Sequence, residues 1–160
     1  MRKTFGEELY RQMKENDNIY LLVGDLGWGL FDRIREDFPE RFINCGAAET
    51  AMVDIAIGLA LSGKIPFVYS ITTFLLYRPF ESLRTYIDYE KIPVKLIGSG
   101  RGREYEELGY SHFAEDDFQV TNWLLSINKL TPKSKSEIKG MVEQMILNPY
   151  PYYLSLSKNK

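Results

Sequence analysis

The chain has 160 residues, 44% of them hydrophobic and 26% charged, the balance of a folded domain rather than a disordered one. Twenty basic against 22 acidic side chains leave a net charge of −2, so no general cationic field favours nucleic acid or an acidic membrane surface. One cysteine, Cys45, and one histidine, His112, exclude an internal disulfide and any Cys- or His-rich metal centre, and a reducing, cytoplasmic setting is expected.

The N-terminal run MRKTFGEELYRQMKEN is charged throughout and lacks the apolar core of a signal peptide. Thr4-Phe5-Gly6-Glu7 has capping-box spacing and predicts a short helix through Leu9 and Met13. Ile19 to Gly24 reads as a buried strand, and Asp25-Leu26-Gly27-Trp28-Gly29 as the loop after it. A helix over Phe31–Phe38 must stop before Pro39. Arg41 to Cys45 is a second strand. Gly46-Ala47-Ala48 then turns into a strongly apolar helix, Glu49–Leu61, closed by Gly63. The longest apolar stretch, Ile55–Leu61, is far short of the ~20 residues that span a bilayer.

Ile65–Ser70 is a third strand, followed by a loop holding Phe74 and Tyr77 and a helix from about Arg78 to Tyr89. Pro93–Gly98 is a fourth strand, and the polar, glycine-rich stretch from Gly100 to Ser111 a loop. A helix over Glu115–Leu125, a short strand to Leu130, a capping box at Ser134-Lys135-Ser136-Glu137 opening a helix to Leu147, and a strand at Tyr152–Leu156 complete the chain. Strands alternating with helices predict an α/β fold of three α/β/α layers around a mostly parallel sheet, in one domain over residues 1–160. Ligands of such sheets lie beyond the carboxyl ends of the strands. That end carries the loops with Asp25, Glu49, Phe74, Tyr77 and His112.

Glu49 opens an apolar helix. A carboxylate there complements the helix dipole, and in a buried setting it shares a proton with a ligand nitrogen. Phe74 and Tyr77 offer a platform for a flat ring. Arg78, Glu81 and Arg84 stand at i, i+3, i+6, the spacing of a solvated or interface face. Neither phosphate-loop fingerprint, G-x-x-x-x-G-K-[ST] nor G-x-G-x-x-G after a strand, occurs, and no acidic cluster suits a metal.

The segment from Gly46 to Gly63, GAAETAMVDIAIGLALSG, closely resembles the transketolase-type pattern G-x-A-E-x-x-M-V-x-x-A-x-G-L-A-x-x-G. Gly24-Asp25-Leu26-Gly27 resembles that family's A-D-L-G segment, and Tyr69 to Phe74 with Arg78, Glu81 and Arg84 its aromatic-plus-helix region. Gly109-Tyr110-Ser111-His112 with Glu115-Asp116 resembles its G-x-[ST]-H loop, and Pro151 to Leu156 its closing strand. The resemblance covers nearly the whole chain and is to the pyrimidine-binding domain of transketolase-type thiamine diphosphate enzymes.

This resemblance implies roles. The glutamate matching Glu49 hydrogen-bonds a ring nitrogen of the cofactor's aminopyrimidine and favours the imino form that removes the acidic thiazolium proton. Tyr77, then Phe74, match the aromatic bed of that ring. His112 matches a substrate-facing acid–base residue, and Asp25 a loop near the thiazolium. The family's diphosphate signature, G-D-G with a downstream Asn-Asn, is missing. The chain begins at the domain's first helix and ends just past its last strand. The expectation is therefore one subunit of a split transketolase-like enzyme that moves a two-carbon ketol unit between sugars or sugar phosphates. Mg²⁺ and the diphosphate would be held by a separate chain in a heterotetramer with two copies of each. Rival expectations are a subunit of a 2-oxoacid decarboxylase or deoxyxylulose phosphate synthase, a non-catalytic relic that only binds, and a flavodoxin-like module. Thr50, Asp54 and Tyr110 are unusual choices within these motifs and bear on substrate identity.

Overall fold

The computed structural model describes residues 1–158. In chain order the elements are α1 (Arg2–Glu15), β1 (Ile19–Val23), α2 (Asp32–Asp37), β2 (Phe42–Asn44), α3 (Glu49–Leu61), β3 (Ile65–Ile71), α4 (Thr72–Tyr77) and α5 (Phe80–Ser82). They continue with β4 (Lys95–Ser99), α6 (Asp117–Asn122), β5 (Asn128–Leu130), α7 (Ser136–Leu147) and β6 (Tyr152–Leu156). The six strands form one sheet in the order β2-β1-β3-β4-β6-β5, with every neighbouring pair parallel.

The pleat sorts alternate residues onto two apolar layers. Leu21, Val23, Phe67, Tyr69, Ile97 and Leu154 meet α1, α2 and α7 through Phe5, Leu9, Ile34, Ile138 and Val142. Leu22, Val68, Leu96 and Tyr153 face the other way, onto Met52, Val53 and Ala56 of α3 and Leu75 and Leu76 of α4. Burial on both faces explains why these strands are continuous apolar runs rather than alternating ones. The three-layer, parallel α/β architecture expected from the sequence is the one observed. No helix of the described residues is long and apolar enough to cross a membrane.

The strand order reverses direction between β1 and β3, so the loops after these two strands part over a crevice. Gly24 ends β1 there, and its N–H donates to the Tyr69 carbonyl at 3.3 Å.

Several local expectations are corrected. Thr4 does not cap α1: the helix opens at Arg2 after Met1, because Met1 and Phe5 are both drawn into the core and Phe5 N–H bonds the Met1 carbonyl. Ser134 does not cap α7 either. The helix starts at Ser136, and the Glu137 carboxylate instead accepts from Ser134 Oγ and Lys133 N–H outside it. The segment after β3 is not a loop, since α4 begins at once and carries Phe74 and Tyr77 on a helix. Pro79 interrupts this helix, and beyond α5 the chain continues over Leu83–Tyr89 in wider π-helical turns. The stretch from Gly100 to Ser111 is irregular as expected, with two short 3₁₀ turns, the second of which holds His112.

Candidate functional site

Glu49 is the first residue of α3, and its side chain is only 1% exposed. A solvated partner of the helix dipole would not be buried so deeply. The carboxylate is instead held on both oxygens: Oε1 accepts from Ser70 Oγ at 3.1 Å, and Oε2 pairs with Arg78 Nη1 at 2.5 Å. Ser70 points to this face because Tyr69 before it points to the other. Gly24 leaves the space open, since a Cβ there would stand 3.2 Å from both Glu49 Oε1 and Ser70 Oγ.

Arg78 links the carboxylate to the aromatic part of the site. Its guanidinium carbon lies 3.8 Å over the centre of the Phe74 ring. The other partner of Phe74 is His112, whose ring meets it edge-on at 4.8 Å. His112 Nδ1 is 3.0 Å from Ser111 Oγ, leaving Nε2 for an outside group. Glu49, Arg78, Phe74 and His112 thus form one contiguous row beyond the carboxyl ends of β1, β3 and β4. The sequence-predicted residues Glu49, Phe74 and His112 come together, through an arginine whose spacing had suggested a solvated or interface face.

Tyr77 and Asp25 have other contacts. Burial, and then the neighbouring Asp116 carboxylate, push the Tyr77 phenol pKa upward. Phe74, rather than Tyr77, is the ring in contact with Arg78. Asp25 turns to Asn44: its N–H donates to Asn44 Oδ1 at 3.0 Å, and Asn44 Nδ2 donates to Asp25 Oδ1 at 3.2 Å. Asn44 Oδ1 also accepts from Gly46 N–H, so one amide ties the loops after β1 and β2 together. This bracing holds Asp25 in the left-handed region at φ 55°, a conformation that Asp tolerates better than most residues.

A second feature at the same sheet end had no sequence signal. A cleft of about 800 Å³ lies on the α1 and α7 side, lined among others by Arg2, Lys3, Trp28, Tyr69, Lys135 and Lys158. Four cationic residues from opposite ends of the chain line it, and among the described lining residues Glu7 is the one carboxylate. The Tyr69 hydroxyl is buried without a hydrogen bond of good geometry. Burial pushes its pKa up, while nearby Ser99 and Arg2 pull against that rise. Arg2 Nη1 donates to Tyr105 Oη at 2.8 Å, which fixes the guanidinium at the cleft wall. Among the described residues no cluster of His, Cys, Asp and Glu is placed to hold a metal ion.

A family model described as "Transketolase, pyrimidine binding domain" matches residues 1–160. A "putative transketolase C-terminal section" of Methanocaldococcus jannaschii is 31% identical over 159 residues, which are 99% of this chain and 50% of that protein. A "6-deoxy-6-sulfo-D-fructose transketolase subunit" of Clostridium sp. (strain MSTE9) is 28% identical over 157 residues, 98% of this chain and 49% of that protein. The chain therefore spans about half the length of the curated relatives it matches. Among solved structures, one titled "Split gene transketolase, inactive beta4 tetramer" superimposes with a TM-score of 0.86 at 30% identity, over 98% of this chain and 51% of that one. The Gly46–Gly63 segment that places Glu49 thus sits in a chain matched along its whole length in sequence and almost all of it in fold, and the chain belongs to the transketolase pyrimidine-binding domain family.

Proposed function

We propose that this chain is the aminopyrimidine-binding subunit of a split, transketolase-like thiamine diphosphate enzyme that moves a two-carbon ketol unit between sugars or sugar phosphates. The observation that carries this reading is the buried Glu49 carboxylate at the sheet's switch point, in one row with the Phe74 ring and His112. The residues suit the cofactor's pyrimidine end: a buried carboxyl, an aromatic face, and a glycine where any side chain would press on that carboxyl. Bound thiamine diphosphate supplies the nucleophilic carbon at which ketose carbon–carbon bonds break and form.

In this reading Glu49 holds a proton against a ring nitrogen, and Ser70 fixes its other oxygen. Phe74 flanks the ring. His112 offers Nε2 to substrate oxygens and moves protons there, with Ser111 steadying its other nitrogen. Asp25 borders the thiazolium side. The cleft of Arg2, Lys3, Lys135 and Lys158 suits the anionic end of a sugar phosphate. The diphosphate and Mg²⁺ belong to a partner chain in a cytoplasmic heterotetramer with two copies of each chain. The outer face of α3 supports such an assembly. This helix is apolar nearly all round, a pattern suited to burial, yet Ile55 and Leu61 are exposed on it.

The test is reconstitution. The chain is co-purified with a candidate partner that carries the diphosphate signature and assayed for ketol transfer with thiamine diphosphate and Mg²⁺. Turnover that needs both chains supports the reading. Full turnover by this chain alone, or none with any such partner, overturns it.

A further inference from the structure

We propose that Arg78 is a positioning residue that holds the Glu49 carboxylate and yields it to the aminopyrimidine when thiamine diphosphate docks, an inference that rests on the role of Glu49 given above. The guanidinium is flat, donates N–H to Glu49 Oε2 at 2.5 Å and lies 3.8 Å over the Phe74 ring. An aminopyrimidine is also flat, and to use Glu49 and Phe74 it needs the same two things, a carboxyl oxygen in its plane and an aromatic face beside it. Arg78 and the cofactor ring therefore compete for one place.

The carboxylate has little freedom to serve both. Its other oxygen is engaged by Ser70 Oγ at 3.1 Å, and its side chain is 1% exposed. Arg78 has the freedom that Glu49 lacks. Its side chain is 42% exposed, it follows the last residue of the six-residue α4, and its flexible stem carries the head to solvent. Its backbone need not follow, because the Arg78 carbonyl is anchored by Thr50 Oγ1 at 3.2 Å and Pro79 restricts the next residue. Withdrawing one partner from a buried pair is costly chiefly for the charge left behind. Glu49 is that charge, so Arg78 leaves only as the carboxyl takes up a proton from solvent and shares it with the arriving ring nitrogen. The arrangement guards the carboxylate and subtracts from cofactor affinity the cost of breaking the pair.

The experiment compares wild type with Arg78→Met, which keeps the stem and removes charge and donors, in the assembled enzyme with thiamine diphosphate and Mg²⁺. Calorimetry gives the cofactor Kd, and melting with and without cofactor gives the thermal shift. Arg78→Met should melt lower without cofactor, bind it about 10-fold more tightly and show a larger cofactor-induced rise in Tm, since ligand binding and stability are linked. Arg78→Gln, which keeps a donor to the carboxylate without the charge, should lie between the two and serves if the methionine variant does not fold. Equal or weaker binding by the variants, with wild type binding normally, overturns the exchange and makes Arg78 a permanent part of the site. Absence of binding by wild type itself overturns the reading of Glu49, and the exchange with it.

Discussion

Thr73 Oγ1 donates a hydrogen bond of 2.6 Å to the Ser111 carbonyl and so ties the helix that carries Phe74 to the turn that carries His112. The two residues are 38 apart in sequence, and the bond is part-buried, with Thr73 shielded from water and Ser111 exposed. Thr73→Val keeps the shape and removes the donor. The expected loss is about 1 kcal/mol, or ~2–4 °C in Tm for a chain of this size. Amide hydrogen exchange should speed up around Gly109–Phe113 and stay unchanged in α3 and β3. Unchanged exchange in that turn would show that something else positions His112.

Glu49→Gln keeps a hydrogen-bonding group for Ser70 and Arg78 but has no carboxyl proton to share. Glu49→Ala leaves Ser70 Oγ without its acceptor, whereas Arg78, half in water, can turn outward. Both variants should fold, the alanine with the lower Tm. In the reconstituted enzyme kcat should fall ~10²–10⁴-fold for both, the scale of a lost acid–base group. Wild-type kcat in both variants would remove Glu49 from the chemistry.

Lys95 lies far from this row, at the start of β4. Its Nζ donates to the carbonyls of Asn148 at 3.0 Å and Tyr150 at 2.5 Å, clamping the connection between α7 and β6. Burial pulls its pKa from the ordinary 10.5 down to about 7. Between those values the unfolded chain keeps a proton that the folded chain has released. Stability therefore rises with pH through this window, by at most ~1.4 kcal/mol per unit, and the gain is lost again as pH falls towards the folded value. Lys95→Met removes the titrating group. Urea unfolding of both proteins from about pH 6 to about pH 9 should show the wild type gaining stability relative to the variant as pH rises. Parallel curves would mean that Lys95 keeps its proton in the folded chain.

The sequence was most informative where function is written contiguously. Gly46 to Gly63 carries the turn, Glu49 and the whole of α3 in one unbroken stretch, so fold, site and family were readable together. The buried strands were equally legible as short apolar runs. Contacts between distant segments were not. Arg78 shared its spacing with Glu81 and Arg84, and only Pro79, by breaking the helix, separates it from them and lets it reach Glu49. Arg2 and Lys3 meet Lys135 and Lys158 only because α1, α7 and β6 are neighbours in space. Phe74 and Tyr77 are alike in sequence. Which of them faces Arg78 depends on α4 starting directly at the end of β3, one residue after Ile71, where a loop was expected.

His112 separates a chemical role from a packing one most sharply. Its ring sits edge-on to Phe74 at 4.8 Å and 6.3 Å from the Tyr105 ring, and its Nδ1 is 3.0 Å from Ser111 Oγ. An aromatic contact of this kind is worth about 0.5–1.5 kcal/mol beyond burial, so its loss should lower Tm only modestly. A positioned acid–base group is worth ~10²–10⁴-fold in rate. If His112 acts on substrate, His112→Ala should slow single-turnover ketol transfer by that factor. Cofactor affinity should stay near wild type, because the histidine meets the Phe74 ring and not the Glu49 carboxylate. His112→Gln, which keeps a hydrogen-bonding side chain but cannot shuttle a proton at neutral pH, should recover the Tm and not the rate. Measuring Tm, cofactor Kd and single-turnover rate on one preparation of each variant keeps the two roles apart. A variant that loses several degrees of Tm and turns over at the wild-type rate per folded molecule would make His112 a packing residue of the turn, and the proton transfers at substrate would then belong to another group.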